Sequence, residues 1–127
     1  MEDAILRLAA ICFLLTGVSH VVVPNTWVRF FIMIREKGDV GTFINGFVHF
    51  PLGALIVSFH NVWTGLPIVL TLVGWGLVLK AVICFVFPPI ALRSLNRVSL
   101  ERSWEFRVAG IFSIALGAFF VYLLCRK

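Results

Sequence analysis

The sequence predicts an all-α, polytopic membrane protein: a four-helix transmembrane bundle with one or two amphipathic segments at the interface. Three observations carry this expectation. The 127 residues are 61% hydrophobic and only 13% charged, where soluble domains carry roughly a quarter charged residues. Mean hydropathy is +1.04. The apolar residues also fall into four runs long enough to cross a hydrocarbon core of about 30 Å at a rise of about 1.5 Å per residue. Lipid leaves no water for stray backbone polar groups, so such runs are expected to be helices. No alternating ten-residue segments suggest a barrel.

The first span runs over residues 4–23, interrupted by Arg7 and closed by Pro24. It follows an acidic Met-Glu-Asp start and no small-x-small cleavage site ends it, so it reads as a retained helix and not a secretory signal. The second span, residues 40–59, carries Thr42, Asn45, His49, Pro51 and Ser58 and therefore needs neighbours, which implies a packed bundle. The third, residues 66–87, ends at Pro88–Pro89, and the fourth covers residues 108–124. All four form a single transmembrane domain.

Between the second and third spans lies a short uncharged hairpin, residues 60–65. The other two connections are longer and basic. In residues 25–39, Trp27, Phe30, Phe31 and Ile34 recur at i, i+3, i+4 and i+7, which is one face of an interfacial helix. Residues 91–107 mix Leu92, Leu95, Val98 and Leu100 with Arg93, Arg97 and Arg102, and a second amphipathic helix and a plain basic loop compete for them. Arg29, Arg35, Lys37, Arg93, Arg97, Arg102 and Arg107 lie on this side, against Arg7, Arg126 and Lys127 on the other. The positive-inside rule then puts the long connections in the cytoplasm and both termini outside. The formal charge of +5 is explained by lipid head groups, and no aromatic–basic interleaving points to nucleic acid.

Polar groups inside the spans are the candidate site. Lys80 is the one basic residue deep in an apolar run, an expensive placement that defaults to a functional hypothesis, although snorkelling competes with it. His20 and His49 end matching Gly-x-x-His patterns, Asn45 lies one turn before His49, and all three are expected near the level of Lys80. Thr42, Gly46 and Gly53 share the His49 face. Four uses are open for His20, Asn45, His49 and Lys80: a ligand- or partner-binding site for an anion, lipid phosphate or quinone head, axial ligation of haem b, a proton relay, or plain interhelical hydrogen bonding.

No HExxH, no paired intramembrane carboxylates, no GxSxG and no phosphate loop occur, so no catalytic residues and no metal site are expected. Cys12, Cys84 and Cys125 are scattered over three spans and read as packing residues. Ala109, Ser113 and Gly117 form a small-residue edge on the fourth span, usable within the bundle or between protomers. Phe112, Phe119 and Phe120 are expected on the opposite, lipid- or partner-facing side.

At His60-Asn61-Val62-Trp63, followed by Thr71-Leu72-Val73-Gly74-Trp75 and Lys80, the chain resembles a group of small, uncharacterised bacterial four-helix integral membrane proteins. The resemblance covers mainly residues 60–80, with a loose match around Gly17 and Pro24. It implies a bacterial inner membrane and no activity. It also makes His60, Asn61, Trp63, Gly74, Trp75 and Lys80 a set to follow together, with end-capping by His60 and Asn61 and interfacial anchoring by Trp63 as the local alternative. The functional expectation is a non-enzymatic accessory or interaction subunit of a membrane assembly, as a homo-oligomer or in a larger complex. A binding or transport bundle for a lipid-like or anionic small molecule is the alternative, and a haem b electron-transfer subunit a third.

Overall fold

The computed structural model describes residues 2–126, with the side chain of Glu2 not included. Met1 and Lys127, which enter the signal and charge arguments above, lie outside the described residues. The chain forms α1 (Glu2–Val22), α2 (Pro24–Glu36), α3 (Asp39–Phe59), α4 (Ile68–Val86), α5 (Pro88–Leu95), a 3-10 turn (Leu100–Arg102) and α6 (Ser103–Cys125). Four of these, α1, α3, α4 and α6, are long and apolar enough to cross a membrane, and the protein is multi-pass. No strand occurs among the described residues.

Helix boundaries follow local chemistry. Pro24 and Pro88 each occupy the first helical turn, where their missing N–H costs nothing, so they start α2 and α5 as they end α1 and α4. Gly38, at φ 61°, makes the turn between α2 and α3 in a region L side chains avoid. Helix α3 runs unbroken through Pro51. The fourth span begins earlier than expected. Helix α6 takes in Ser103 to Arg107, which leaves only α5 and the 3-10 turn of the second amphipathic segment. The apolar stripe of α2 rotates slightly. Val28 and Ile34 are fully buried, while Trp27, Phe30 and Phe31 are half-buried.

Two close helix pairs organise the bundle: α1 against α6, and α3 against α4. In lipid the hydrophobic effect does not drive helix against helix, so close van der Waals packing has to. Both seams are accordingly built on glycine. A Cβ on Gly17 would stand 2.7 Å from the Gly110 carbonyl oxygen, and one on Gly110 would stand 2.7 Å from the Gly17 carbonyl oxygen. Further along, Gly117 receives Leu14, and the Ser113 hydroxyl donates to the Phe13 carbonyl at 2.7 Å. On the other pair Gly46 seats the Phe85 ring, Gly53 seats Leu77 and Val78, and Gly74 seats Ile56. The Thr42 hydroxyl, fully buried, reaches the Cys84 carbonyl at 3.1 Å.

The pairs meet at one end only. Ile5, Leu6, Ala9 and Ala10 of α1, Ile56 of α3, Leu70 of α4, and Phe120 and Leu123 of α6 form a buried apolar plug. This is the hairpin end, beside residues 60–67. Phe120 is fully buried there, against the expectation of a lipid-facing position, because the α1–α6 seam rotates it inward, whereas Phe112 is exposed. At the opposite end α2, α5 and the 3-10 turn form a belt, and along its whole length α4 makes almost no close backbone approach to α1 or α6. A Cβ on Gly76 would meet nothing within 4 Å.

Gly17→Val forces a branched side chain into the Gly110 carbonyl and Ile114. It should lower the free energy of unfolding in detergent by about 1–3 kcal/mol, the usual cost of overpacking. Gly76→Ala should leave stability unchanged or raise it by up to about 1 kcal/mol, since alanine is the better helix former. Titration with a denaturing detergent, followed by circular dichroism, compares the two.

Candidate functional site: a cleft between the helix pairs

Where the pairs separate, three adjoining cavities run from the belt into the bundle. The first, about 420 Å³, has Asn45 and Cys84 on one wall and Ser94 and Leu95 on another, with Lys80 between them. The second, about 480 Å³, shares Lys80 and adds Thr16, His20, His49, Arg97, Glu105 and Ala109. A third of about 180 Å³ continues past His49 to Cys12 and Ser113. Its floor is Phe13, Leu52 and Leu77, which pack on the apolar plug. The cleft is therefore closed at the hairpin end and bordered at the belt end by Arg97 and Glu105.

The four residues singled out in the sequence converge here. At helical rise, Asn45 stands about 9 Å along α3 from Asp39, and Lys80 about 9 Å along α4 from Val86. His20 and His49 both border the second cavity, and His49 also borders the third. Lys80 is exposed to the cleft and forms no hydrogen bond or ion pair among the described residues. Asn45 is 5% exposed, and its Oδ1 is buried without a hydrogen-bond partner. A buried acceptor left open costs about 1–3 kcal/mol.

The histidines are oriented alike. His20 Nδ1 lies 2.7 Å from the Thr16 carbonyl oxygen, and His49 Nδ1 lies 2.8 Å from that of Asn45. A carbonyl can only accept, so each Nδ1 carries the proton and donates to the preceding turn. His20 is also held flat, with Trp27 at a centroid distance of 4.1 Å on one ring contact and Phe106 at 5.8 Å on the other. Trp27 in turn donates from Nε1 to Ser19 Oγ at 2.8 Å. An interfacial tryptophan expected to touch lipid thus fixes a cleft residue.

The other residues of that face take different work. Thr42, Gly46 and Gly53 share the His49 face in sequence but serve the α3–α4 seam, leaving Asn45 and His49 to the cleft. Of the small-residue edge, Ser113 and Gly117 face α1, beside the Gly110 contact with the Gly17 backbone, while Ala109 borders the cleft.

The hairpin set comes together as a structural lock, away from Lys80. His60 is buried and donates from Nε2 to the Pro67 carbonyl at 2.9 Å. Asn61 Oδ1 accepts from Trp63 Nε1 at 3.0 Å and Trp75 Nε1 at 3.4 Å. Trp75 is half-exposed and reaches back to the hairpin, so interior packing does not explain it. Thr71 stands in the resembling stretch without a role assigned to it. Its hydroxyl donates to the Val62 carbonyl at 2.7 Å and accepts from the Val62 N–H at 3.0 Å.

Arg35 was also missed, because a basic residue in a connection already had an explanation in orientation. Its Nη1 donates to the Val98 carbonyl at 2.8 Å and lies 3.4 Å from that of Leu95. This fastens α2 to the end of α5, and so holds Ser94, Leu95 and Val98 against the cleft. Among the described residues no group of three or more His, Cys, Asp or Glu gathers as for a metal ion. Cys12, Cys84 and Cys125 are unpaired thiols. No protein-family model, no curated protein and no solved structure matches this chain.

Arg35→Ala should loosen the belt by about 1–3 kcal/mol, the range for hydrogen bonds from a charged donor. Hydrogen exchange should then quicken selectively at residues 95–99, with α1 and α6 unaffected.

Proposed function

We propose that this protein binds an anionic, lipid-like small molecule in the cleft between its two helix pairs. One observation carries the reading: Lys80, with no partner of its own, shares a cavity with the buried and unpartnered Asn45 Oδ1. Neither group is cheap to leave unsatisfied in an apolar setting. A ligand that brings an anionic oxygen to Lys80 and a hydrogen-bond donor to Asn45 relieves both costs at once. The apolar flank at Gly76, where nothing stands close to the helix, gives a hydrocarbon tail a place beside the head.

A cleft open at the belt and closed by the plug suits a binding bundle. It also suits one state of a carrier that alternates access about a fixed site. We assign the belt to the cytoplasmic side and the chain to a bacterial inner membrane. Support for the orientation comes from the basic residues concentrated in α2, α5 and the residues just beyond it.

The other readings draw less support. An accessory subunit would associate through Ala109, Ser113 and Gly117 and pair Lys80 with an external acid; Ser113 and Gly117 instead pack against α1 inside the chain, and Lys80 lines a cavity. A haem would need His20 and His49 to reach one iron from opposite faces. His20 is stacked on Trp27, and of the two only His49 borders the third cavity.

Native mass spectrometry of the protein in nanodiscs with anionic lipid tests the proposal. Lys80→Leu should keep the fold and lose about tenfold or more in retained anionic ligand, as expected for one charge-assisted contact. Retention equal to the parent would remove the reading.

A further inference from the structure

The cleft wall presents more acceptors than an anion alone would use. His20 and His49 each spend Nδ1–H on a backbone carbonyl, so the neutral ring leaves Nε2 as an acceptor. Asn45 adds the unpartnered Oδ1. Lys80 lies between them, bordering both the cavity of Asn45 and the cavity of the two histidines. Arg97 is the second cation on the wall, and the Glu105 carboxylate, 3.9 Å from Arg102 in a half-exposed pair, is a further acceptor.

A bare carboxylate would satisfy Lys80 but turn only lone pairs toward Nε2 and Oδ1. Lone pair against lone pair is repulsive, and Asn45 Oδ1 and the two part-buried Nε2 atoms would stay unmet. The complement of this wall has an anionic oxygen and, a few bonds away, protons to donate. Resting on the reading of the cleft as an anion-binding site, we infer that its ligand is a phosphodiester lipid whose head carries its own hydrogen-bond donors. The donors are the hydroxyls of a phosphoglycerol or the ammonium of a phosphoethanolamine. Phosphate sits at Lys80. The donors go to Asn45 Oδ1 on one side and His49 Nε2 on the other, with His20 nearer the belt. Both larger cavities exceed the roughly 300 Å³ at which small-molecule sites begin.

Two lipid pairs with the phosphodiester kept and the donors removed test this directly. In competition for the purified protein in nanodiscs, phosphatidylglycerol is set against phosphatidylmethanol, and phosphatidylethanolamine against phosphatidylcholine. The donor-bearing member of at least one pair should be retained about five- to tenfold better, as one or two buried hydrogen bonds provide. The Asn45→Leu, His49→Phe double variant should lose that preference while still binding phosphatidylmethanol. Competition by free glycerophosphate as strong as that of the lipid would assign the head chemistry to a soluble source. Competition by the lipid alone assigns it to the membrane. Equal retention within both pairs overturns the inference. If that equal binding still falls in Lys80→Leu, the anion reading stands without it, whereas no retention of any of the four lipids removes both.

Discussion

Everything in this bundle depends on two backbones touching at Gly17 and Gly110. Each glycine lies where a Cβ on the other would meet a carbonyl oxygen, so α1 and α6 can approach only with hydrogen in both places. The α3–α4 seam repeats the device with Gly46, Gly53 and Gly74. In a lipid solvent, closeness of this kind is the driving force for helix association. Between the pairs the buried contact is the plug, where Ala9 and Ala10 of α1 meet Ile56, Leu70 and Phe120, while Arg35 ties α2 to the end of α5 across the belt. The cleft is what remains between them.

That geometry decides what the polar residues can do. Where the seams are tight, hydroxyls are used up: Thr42 on the Cys84 carbonyl, Ser113 on the Phe13 carbonyl, Thr71 on both polar groups of Val62. Where the pairs part, Lys80 and Asn45 Oδ1 stay unmatched. A bundle that met all its polar needs internally would have closed the cleft around Lys80. The histidines occupy the middle ground, with one nitrogen committed to the helix and one left over.

The spans, the α2 helix and the cluster of His20, Asn45, His49 and Lys80 were legible in the sequence because each rests on local periodicity or on a polar residue out of place. Partner choice was not. Gly46, Gly53 and Asn45 share one helical face by spacing, and only the position of α4 separates seam from cleft. Phe120 was expected to face lipid or a partner because a helical wheel gives opposite sides but no inward direction. Arg35 and Thr71 act on carbonyls dozens of residues away or across a hairpin, and no motif marks a side chain whose partner is backbone. The set from His60 to Trp75 was seen as a group, yet its work in locking the hairpin needed the distances.

The most direct test of the divided bundle is thiol accessibility in liposomes, in a chain whose native cysteines are replaced. Thr16→Cys and Ala109→Cys border the cleft, and Ala9→Cys and Ala10→Cys lie in the plug. A membrane-impermeant maleimide supplied on the belt side should modify the first two and leave the plug positions untouched from either side. Equal protection at all four would mean that the helix pairs close on each other along their whole length, and the account of the cleft would fall.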